Sequence, residues 1–471
     1  MWTRRGVIMG SASLALAACG PGRRAAGPPL AGGPLPLAPA DDTYRNEIVG
    51  YGALVPDPAG IFDLPQGFSY KIISRFGDRM DDGFAVPDRL DGMGSVDIGG
   101  GRVALIRNHE LPPGNGEGPA GTSAELRARL AALPHYGGQE GWPHPGGTTT
   151  IVYDYKAGRT VSTRLSLSGT IRNCAGGVTP WGSWLSCEET VHIGDKPHGW
   201  VFEVPAAERG LAAPVPLKGL GRFNHEAAIV HPGNGVVYQT EDRADGLFYR
   251  FLPAKPGSLA SGGRLQALAF VEGSADTRNW TDSGFPEGSW RDVRWIDLED
   301  IESAADDLRK RGAAKGAAVF ARGEGIHIGT GEIYFACTSG GHKKIGQIMR
   351  YVPSRREGQA DEASQPGRLQ LFSESDDDRL FSYCDNIAVA PWNHLVVCED
   401  KGVSAPVNHL KGITPSGKVY AIGRNAHPER GELAGVCFSP DARTMFFNIY
   451  HPGMTLAVTG PWKRVDTRQA A

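Results

Sequence analysis

Trp184-Leu185-Ser186-Cys187-Glu188-Glu189, Val237-Tyr238-Gln239-Thr240-Glu241-Asp242 and Val396-Val397-Cys398-Glu399-Asp400 are three short, largely apolar runs that each end in a pair of acids. A fourth, Ile106-Arg107-Asn108-His109-Glu110, ends in one. Glu188 and Glu241 lie 53 positions apart, and Glu241 and Glu399 lie 158 apart, close to three such steps. Short strands repeating at about 40 to 50 residues mark a β-propeller, in which each blade packs on its neighbours around a central channel. The chain has room for six or seven blades at this spacing, and six is the expectation. Equivalent strand ends then converge on one channel mouth, so acids one blade apart in sequence become neighbours in space.

The rest of the chain agrees with an all-β six-bladed propeller with short helical insertions. The sequence holds 65 Gly and 34 Pro in 471 residues, a turn-rich composition. Arg102–Ile106, Thr150–Tyr153, Gly235–Tyr238, Glu332–Phe335 and His394–Val397 read as strands bounded by turn residues. Only Ser123–Leu133 and Asp297–Lys310 carry helical periodicity, and both read as insertions. The closing blade is expected to join the two chain ends. A single propeller domain is assigned to residues 41–465, and a closed ring of this kind is expected to be a monomer.

Residues 1–19 read as an export signal: Arg4 and Arg5 precede a short apolar run that ends in Leu16-Ala17-Ala18-Cys19. The run is well short of the roughly 20 residues a membrane-spanning helix needs. The adjacent arginines point to the twin-arginine translocation machinery, and the cysteine to a lipoprotein cleavage box with a lipid anchor at Cys19. Residues 20–40 form a Pro/Gly/Ala-rich tether. An exported protein, periplasmic or membrane-anchored, is expected. With a formal net charge of −3 there is no basic field for nucleic acid.

Two carboxylates about 4 Å apart repel by roughly 4 kcal/mol at an effective dielectric near 20, so a ring of acids requires cations. Oxygen ligands in number suit Ca²⁺, which takes roughly six to eight of them. The remaining cysteines, Cys174, Cys187, Cys337, Cys384, Cys398 and Cys437, show no zinc-type pairing. Cys174 reads either as a buried structural thiol or, beside cations, as a thiolate ligand for a softer metal such as iron. Arg243, Arg322, Lys401 and Arg107 each lie close in sequence to a candidate ligand.

The segment Arg172-Asn-Cys174-Ala-Gly-Gly-Val-Thr-Pro-Trp181-Gly-Ser-Trp184-Leu-Ser-Cys-Glu188-Glu189 resembles the signature of the PhoX family of calcium- and iron-dependent alkaline phosphatases. Gly221-Arg-Phe-Asn-His225-Glu226, Tyr238-Gln-Thr-Glu241-Asp242-Arg243, Arg322-Gly-Glu324-Gly, Cys384-Asp385-Asn386, Cys398-Glu399-Asp400 and Glu432-Leu-Ala-Gly follow in the family's order. The resemblance implies a metal cluster of Ca²⁺ and Fe³⁺, with Cys174 as an iron ligand. It draws the cluster acids from Glu188, Glu189, Glu226, Glu241, Glu324 and Glu432, with Asp242, Asp385, Glu399 and Asp400 beside them. The implied activity is hydrolysis of small phosphate monoesters; of Arg243, Arg322, Lys401 and Arg107, each of which alone could be a structural ion pair, at least one is expected to face the substrate. A calcium-only propeller hydrolase acting on lactones or esters, and a non-catalytic propeller tied together by calcium, remain open on the residues alone.

Overall fold

The computed structural model describes residues 43–114, 117–281, 284–402 and 407–470. The signal, its arginines, Cys19 and the tether lie outside the described residues. Six strands form the inner wall of the ring: Leu90–Gly99 (β1), Asn173–Val178 (β2), His225–Val230 (β3), Gly323–Ile328 (β4), Cys384–Val389 (β5) and Leu433–Phe438 (β6). Each packs on the next, and β6 packs back on β1, which closes a β-propeller.

Each inner strand begins an antiparallel meander. β1 pairs with Arg102–His109, then Gly146–Asp154 and Arg159–Thr170. β2 pairs with Ser183–Glu188 and then Val201–Pro205. The meanders from β3, β4 and β5 run outward through Gly263–Phe270, Arg368–Glu374 and Val419–Asn425. In the last, β6, Thr444–Ile449 and Met454–Thr459 are followed by Ser69–Arg75 from the N-terminal side, so the expected joining of the two ends is present. A further pairing of Ile48–Gly50 with Asp466–Gln469 extends the ordered domain just past residue 465.

Burial follows the face-to-face packing of neighbouring blades. Phe248 of the third blade stacks on Phe335 of the fourth with ring centroids 4.3 Å apart, inside a cluster that includes Tyr238, Ile326 and Tyr351. Both blade faces are covered, so strands such as Leu395–Glu399 are buried at every residue instead of alternating.

The first helical insertion falls where the sequence places it, at Ala124–Ala131, with the Ser123 hydroxyl accepting from the Leu126 amide as an N-cap. The second does not. Trp290–Asp297 is a strand, and the helix is Leu308–Ala314. Asp297 is claimed by pairing with Gln266 on the edge of the third blade, and tertiary pairing overrides the helical periodicity there.

Candidate metal centre at the channel mouth

Every inner strand carries a β-bulge near its start. The register shifts between Leu90 and Met93, Asn173 and Gly176, His225 and Ala228, Gly323 and Ile326, and Cys384 and Ile387. A bulge re-aims one side chain out of the alternating pattern. The residue at that place is Asp91, Cys174, Glu226, Glu324 or Asp385 in β1 to β5. In β6 the shift lies between Ala434 and Cys437, the matching residue is Gly435, and the acid comes from Glu432 just before the strand.

Small residues beside these ligands bring the strands together. A Cβ at Gly92 would sit 2.5 Å from the Ala175 Cα and 2.8 Å from the Cys174 carbonyl oxygen. Gly435, at φ +65°, leaves room for the Asp91 carbonyl, which a Cβ would meet at 2.7 Å. Polar side chains from neighbouring strands then fix the bulges. Asn108 donates to the carbonyls of Cys174 (3.1 Å) and Ala175 (2.7 Å), Thr240 to that of Glu324 (2.6 Å), and Asn448 to that of Asp91 (2.5 Å).

A second ring lies one strand further out. The residues that follow the second strand of each blade are Glu110, Glu189, Asp242, Thr338, Asp400 and Tyr450. The two rings meet. Ligand atoms of Cys174, Glu189 and Glu226 lie within 4.8 Å of one another, as do those of Asp91, Asp385 and Glu432, and those of Glu226, Glu324 and Asp385. Both carboxylate oxygens of Asp91 and both of Glu226 are buried with no hydrogen-bond partner.

Burial, reinforced by neighbouring acids, pushes Asp91, Glu189, Glu226, Glu324 and Glu432 well above the ordinary carboxylate range, and Asp385 up to about 8. Burial and the charges of Asp91, Glu226 and Glu189 push the Cys174 thiol up in the same way. Two guanidiniums offset part of this charge. Arg172 pairs with Glu110 at 2.6 Å and with Glu189, and Arg322 pairs with Asp242 at 2.7 Å and Glu324 at 3.0 Å. Uncompensated buried carboxylates at this density, with one thiol among them, fit bound cations. Oxygen-rich positions suit Ca²⁺, and the position that includes Cys174 suits iron.

Of the acids singled out in the sequence, Glu189, Glu226, Glu324, Asp385 and Glu432 converge with Cys174 in these clusters. Asp242 joins them through Glu324 and Arg322, and Asp400 lies close enough to act electrostatically on Asp385 and Glu432. The structure adds Asp91, Glu110 and Arg172 to the expected set.

Glu188, Glu241 and Glu399 occupy a different environment, each holding its own blade together at the end of a second strand. Glu188 accepts from the amides of Ile171, Gly199 and Trp200 and from His198. Glu241 accepts from Tyr249 and the Leu247 amide. Glu399 accepts from the amides of Ser382 and His409 and lies 2.9 Å from Lys401 Nζ. Burial acts to raise Glu399, but His409, Lys411 and Lys401 hold it down to about 2. Lys401 is thus engaged below the mouth, Arg243 pairs with Asp306 at 3.4 Å, and Arg107 is buried on Thr149 and Thr455. Arg322 sits among the clustered acids, and Arg243 lies close enough to act electrostatically on Asp242.

This division is testable. Glu399→Gln will lower stability to urea by about 3 kcal/mol, because Lys401 and its neighbours lose a buried counter-charge, and it will leave bound calcium unchanged. Loss of calcium in this variant instead would make Glu399 a ligand.

The sequence profile of the family described as Alkaline phosphatase PhoX matches residues 49–133 and 146–453. The chain belongs to the PhoX family. Among solved structures, PhoX of Pseudomonas fluorescens in complex with vanadate, a transition-state analogue, shares the fold with a TM-score of 0.65 at 19% identity, covering 89% of this chain and 98% of that one. A gluconolactonase of Xanthomonas campestris aligns with a TM-score of 0.38 at 13% identity, over 87% of this chain and 98% of that one. No curated protein sequence matches the chain. The family match ends at Pro452 and Gly453, just short of the strand Met454–Thr459 that receives Ser69–Arg75.

Proposed function

We propose that the chain is an exported phosphomonoesterase that releases inorganic phosphate from small phosphate esters over a calcium and iron centre at the channel mouth. The observation that carries this reading is the set of bulge residues: a ligand-type side chain from each of five inner strands, joined by Glu432, with orphaned carboxylates at Asp91 and Glu226. Asp91, Glu226, Glu324, Asp385 and Glu432 would hold calcium, and Cys174 with Glu189 and Glu226 would hold iron. When bound, such ions neutralise a phosphate dianion and supply an activated oxygen nucleophile at neutral or alkaline pH. Export rests on the signal-like residues 1–19, and a lipid anchor on Cys19.

The chain's own groups orient the ester. The Arg172 and Arg322 side chains are 36% and 41% exposed, each held from one side by acids of the second ring. That arrangement fixes a planar donor fork at the mouth with part of its edge open to a phosphate. Tyr450, which donates to Glu110, fills the sixth blade's place in the second ring.

Hydrolysis of a chromogenic phosphate monoester at alkaline pH, with vanadate as inhibitor and metal analysis of the same preparation, tests the reading. Turnover that vanadate abolishes, with calcium and iron both bound, is expected. Calcium alone, with turnover of lactones and none of phosphate esters, would move the protein to the calcium-only hydrolases. Arg322→Lys is expected to raise KM roughly tenfold with calcium and iron content unchanged, since a lysine cannot present the paired donors of a guanidinium.

A further inference from the structure

Away from the channel mouth, two loops bring a second set of ligand-type side chains together. The first runs from the second to the third strand of blade one, over residues 110–145, and ends with His144 just before Gly146–Asp154. The second joins Ser183–Glu188 to Val201–Pro205 in blade two and carries His192, Asp195 and His198. Ligand atoms of His144, Asp195 and His198 lie within 4.8 Å of one another, with His144 Nε2 3.5 Å from Asp195 Oδ1. The imidazoles of His144 and His198 meet edge to face at 5.2 Å between centroids.

The protonation pattern of His198 follows from its partner. Its Nδ1 is 2.6 Å from Glu188 Oε1, and that carboxylate already accepts three amide hydrogens. Glu188 is an acceptor, so Nδ1 carries a hydrogen, and in the neutral imidazole Nε2 then presents its lone pair. That Nε2 is fully buried and has no partner. The Nε2 of His144, on a side chain 3% exposed, has no hydrogen-bond partner either. Two buried imidazole nitrogens with no hydrogen bond, one of them 3.5 Å from the Asp195 carboxylate, are costly unless something bridges them.

The surroundings leave space at that point. Residue 137 is glycine, and a Cβ there would lie 2.9 Å from His198 Nε2 and 3.1 Å from Asp195 Oδ1. The other Asp195 oxygen accepts from the Gly138 amide at 3.1 Å, which fixes the carboxylate. The exposed His192 stands at the rim, its ring 6.3 Å from that of His198.

We propose that His144, Asp195 and His198 form a second metal site, for a Zn²⁺-class divalent ion, that ties the blade-one loop to the blade-two loop, with His192 or water as fourth ligand. The donor set of two imidazoles and one carboxylate is that of zinc, and suits neither Ca²⁺ nor an oxygen-only cage. Tetrahedral donors about 2.1 Å from zinc lie about 3.4 Å from one another, so the observed spacing needs only side-chain adjustment. Glu188 then has the part of the outer carboxylate that orients a metal-bound histidine. It lies next to Glu189, so the site also braces the strand end that delivers Glu189 to the channel mouth.

The test is zinc uptake by the full chain after chelation, with Zn²⁺ as the only added metal, measured in parallel on wild type, His144→Gln, Asp195→Asn and Cys174→Ala. About one tightly bound zinc per chain is expected in wild type and in Cys174→Ala. Its X-ray absorption should show a nitrogen and oxygen shell with imidazole scattering and no sulfur. His144→Gln and Asp195→Asn are expected to weaken that binding at least a hundredfold, while calcium uptake, titrated separately on the same chelated preparations, stays as in wild type. Asp195 is 42% exposed on the side chain, so its variant remains a fair probe if His144→Gln does not fold. No tight zinc in wild type, equal zinc in the Asp195 variant, or a sulfur-containing shell that disappears with Cys174 would each overturn the proposal.

Discussion

Stripped of its cations by a chelator, the protein will melt at a lower temperature at pH 8 than at pH 6, by on the order of 10 °C. Asp91, Glu189, Glu226, Glu324 and Glu432 are all pushed up in the folded chain by burial and mutual repulsion, and Asp385 up to about 8. In the unfolded chain they return to roughly 4. Raised carboxyls bind more protons folded than unfolded, so their stabilising contribution is complete below about pH 4 and is lost as pH climbs through the folded values. For Asp385 that window runs from about 4 to about 8. Each such group loses about 1.4 kcal/mol per pH unit inside its window, and several do so together. Bound cations compete with those protons, so calorimetry on the metal-loaded protein should show the slope flattened or reversed. A chelated protein that is equally stable at both pH values would mean that the acids are compensated by the chain itself, and the metal centre would lose its main support.

Cys174→Ala will remove iron and reduce phosphomonoesterase activity by at least about a thousandfold, while the chain still folds and still binds calcium. The backbone at this position is held by Asn108, which bonds the carbonyls of residues 174 and 175 and is itself fixed by Trp184 and Ser186. Substitution therefore deletes the sulfur and leaves the bulge in place. Cys174 would hold iron together with Glu189 and Glu226, and losing a ligand from a centre that would supply transition-state stabilisation of several kcal/mol corresponds to about three powers of ten in rate. Cys187→Ala is the matched control. That thiol is buried in the apolar contact between blades two and three, away from the acids, and its loss should cost stability without touching iron. Retained iron and activity in Cys174→Ala would end the assignment of a thiolate-bound metal.

The propeller and the meeting of acids at one mouth were legible because three of the six second strands end in Glu188, Glu241 and Glu399 at near-regular spacing. The innermost ligands were harder to read for a geometric reason. A bulge shifts the side-chain alternation by one, so Asp91 in Leu90-Asp91-Gly92-Met93-Gly94 reads as a turn acid. Insertions also make the distances between Asp91, Cys174, Glu226, Glu324 and Asp385 unequal. A subtler signal was present: each of these is followed by a small or amide residue, Gly92, Ala175, Ala227, Gly325 or Asn386, which lets the next inner strand approach. Glu188 and Glu399 show the converse. Their periodic position made them candidates, and only the hydrogen bonds from His198 and His409 reveal that they serve the blades. Arg172 opens the motif that runs to Glu189, but nothing in its sequence neighbours shows that it spans Glu110 and Glu189.

The last blade is completed by Ser69–Arg75 lying against Met454–Thr459, strands from opposite ends of the domain. No N-terminal fragment can therefore close the ring, however much of it has been synthesised. The cluster of Asp91, Asp385 and Glu432 draws on the first, fifth and sixth blades, so a partial circle cannot assemble it. Ring closure must wait for the final strands, and such long-range pairing is slow to form. Metal occupancy consequently works as a molecular receipt: a chain that has taken up its full complement of cations is a chain that was finished.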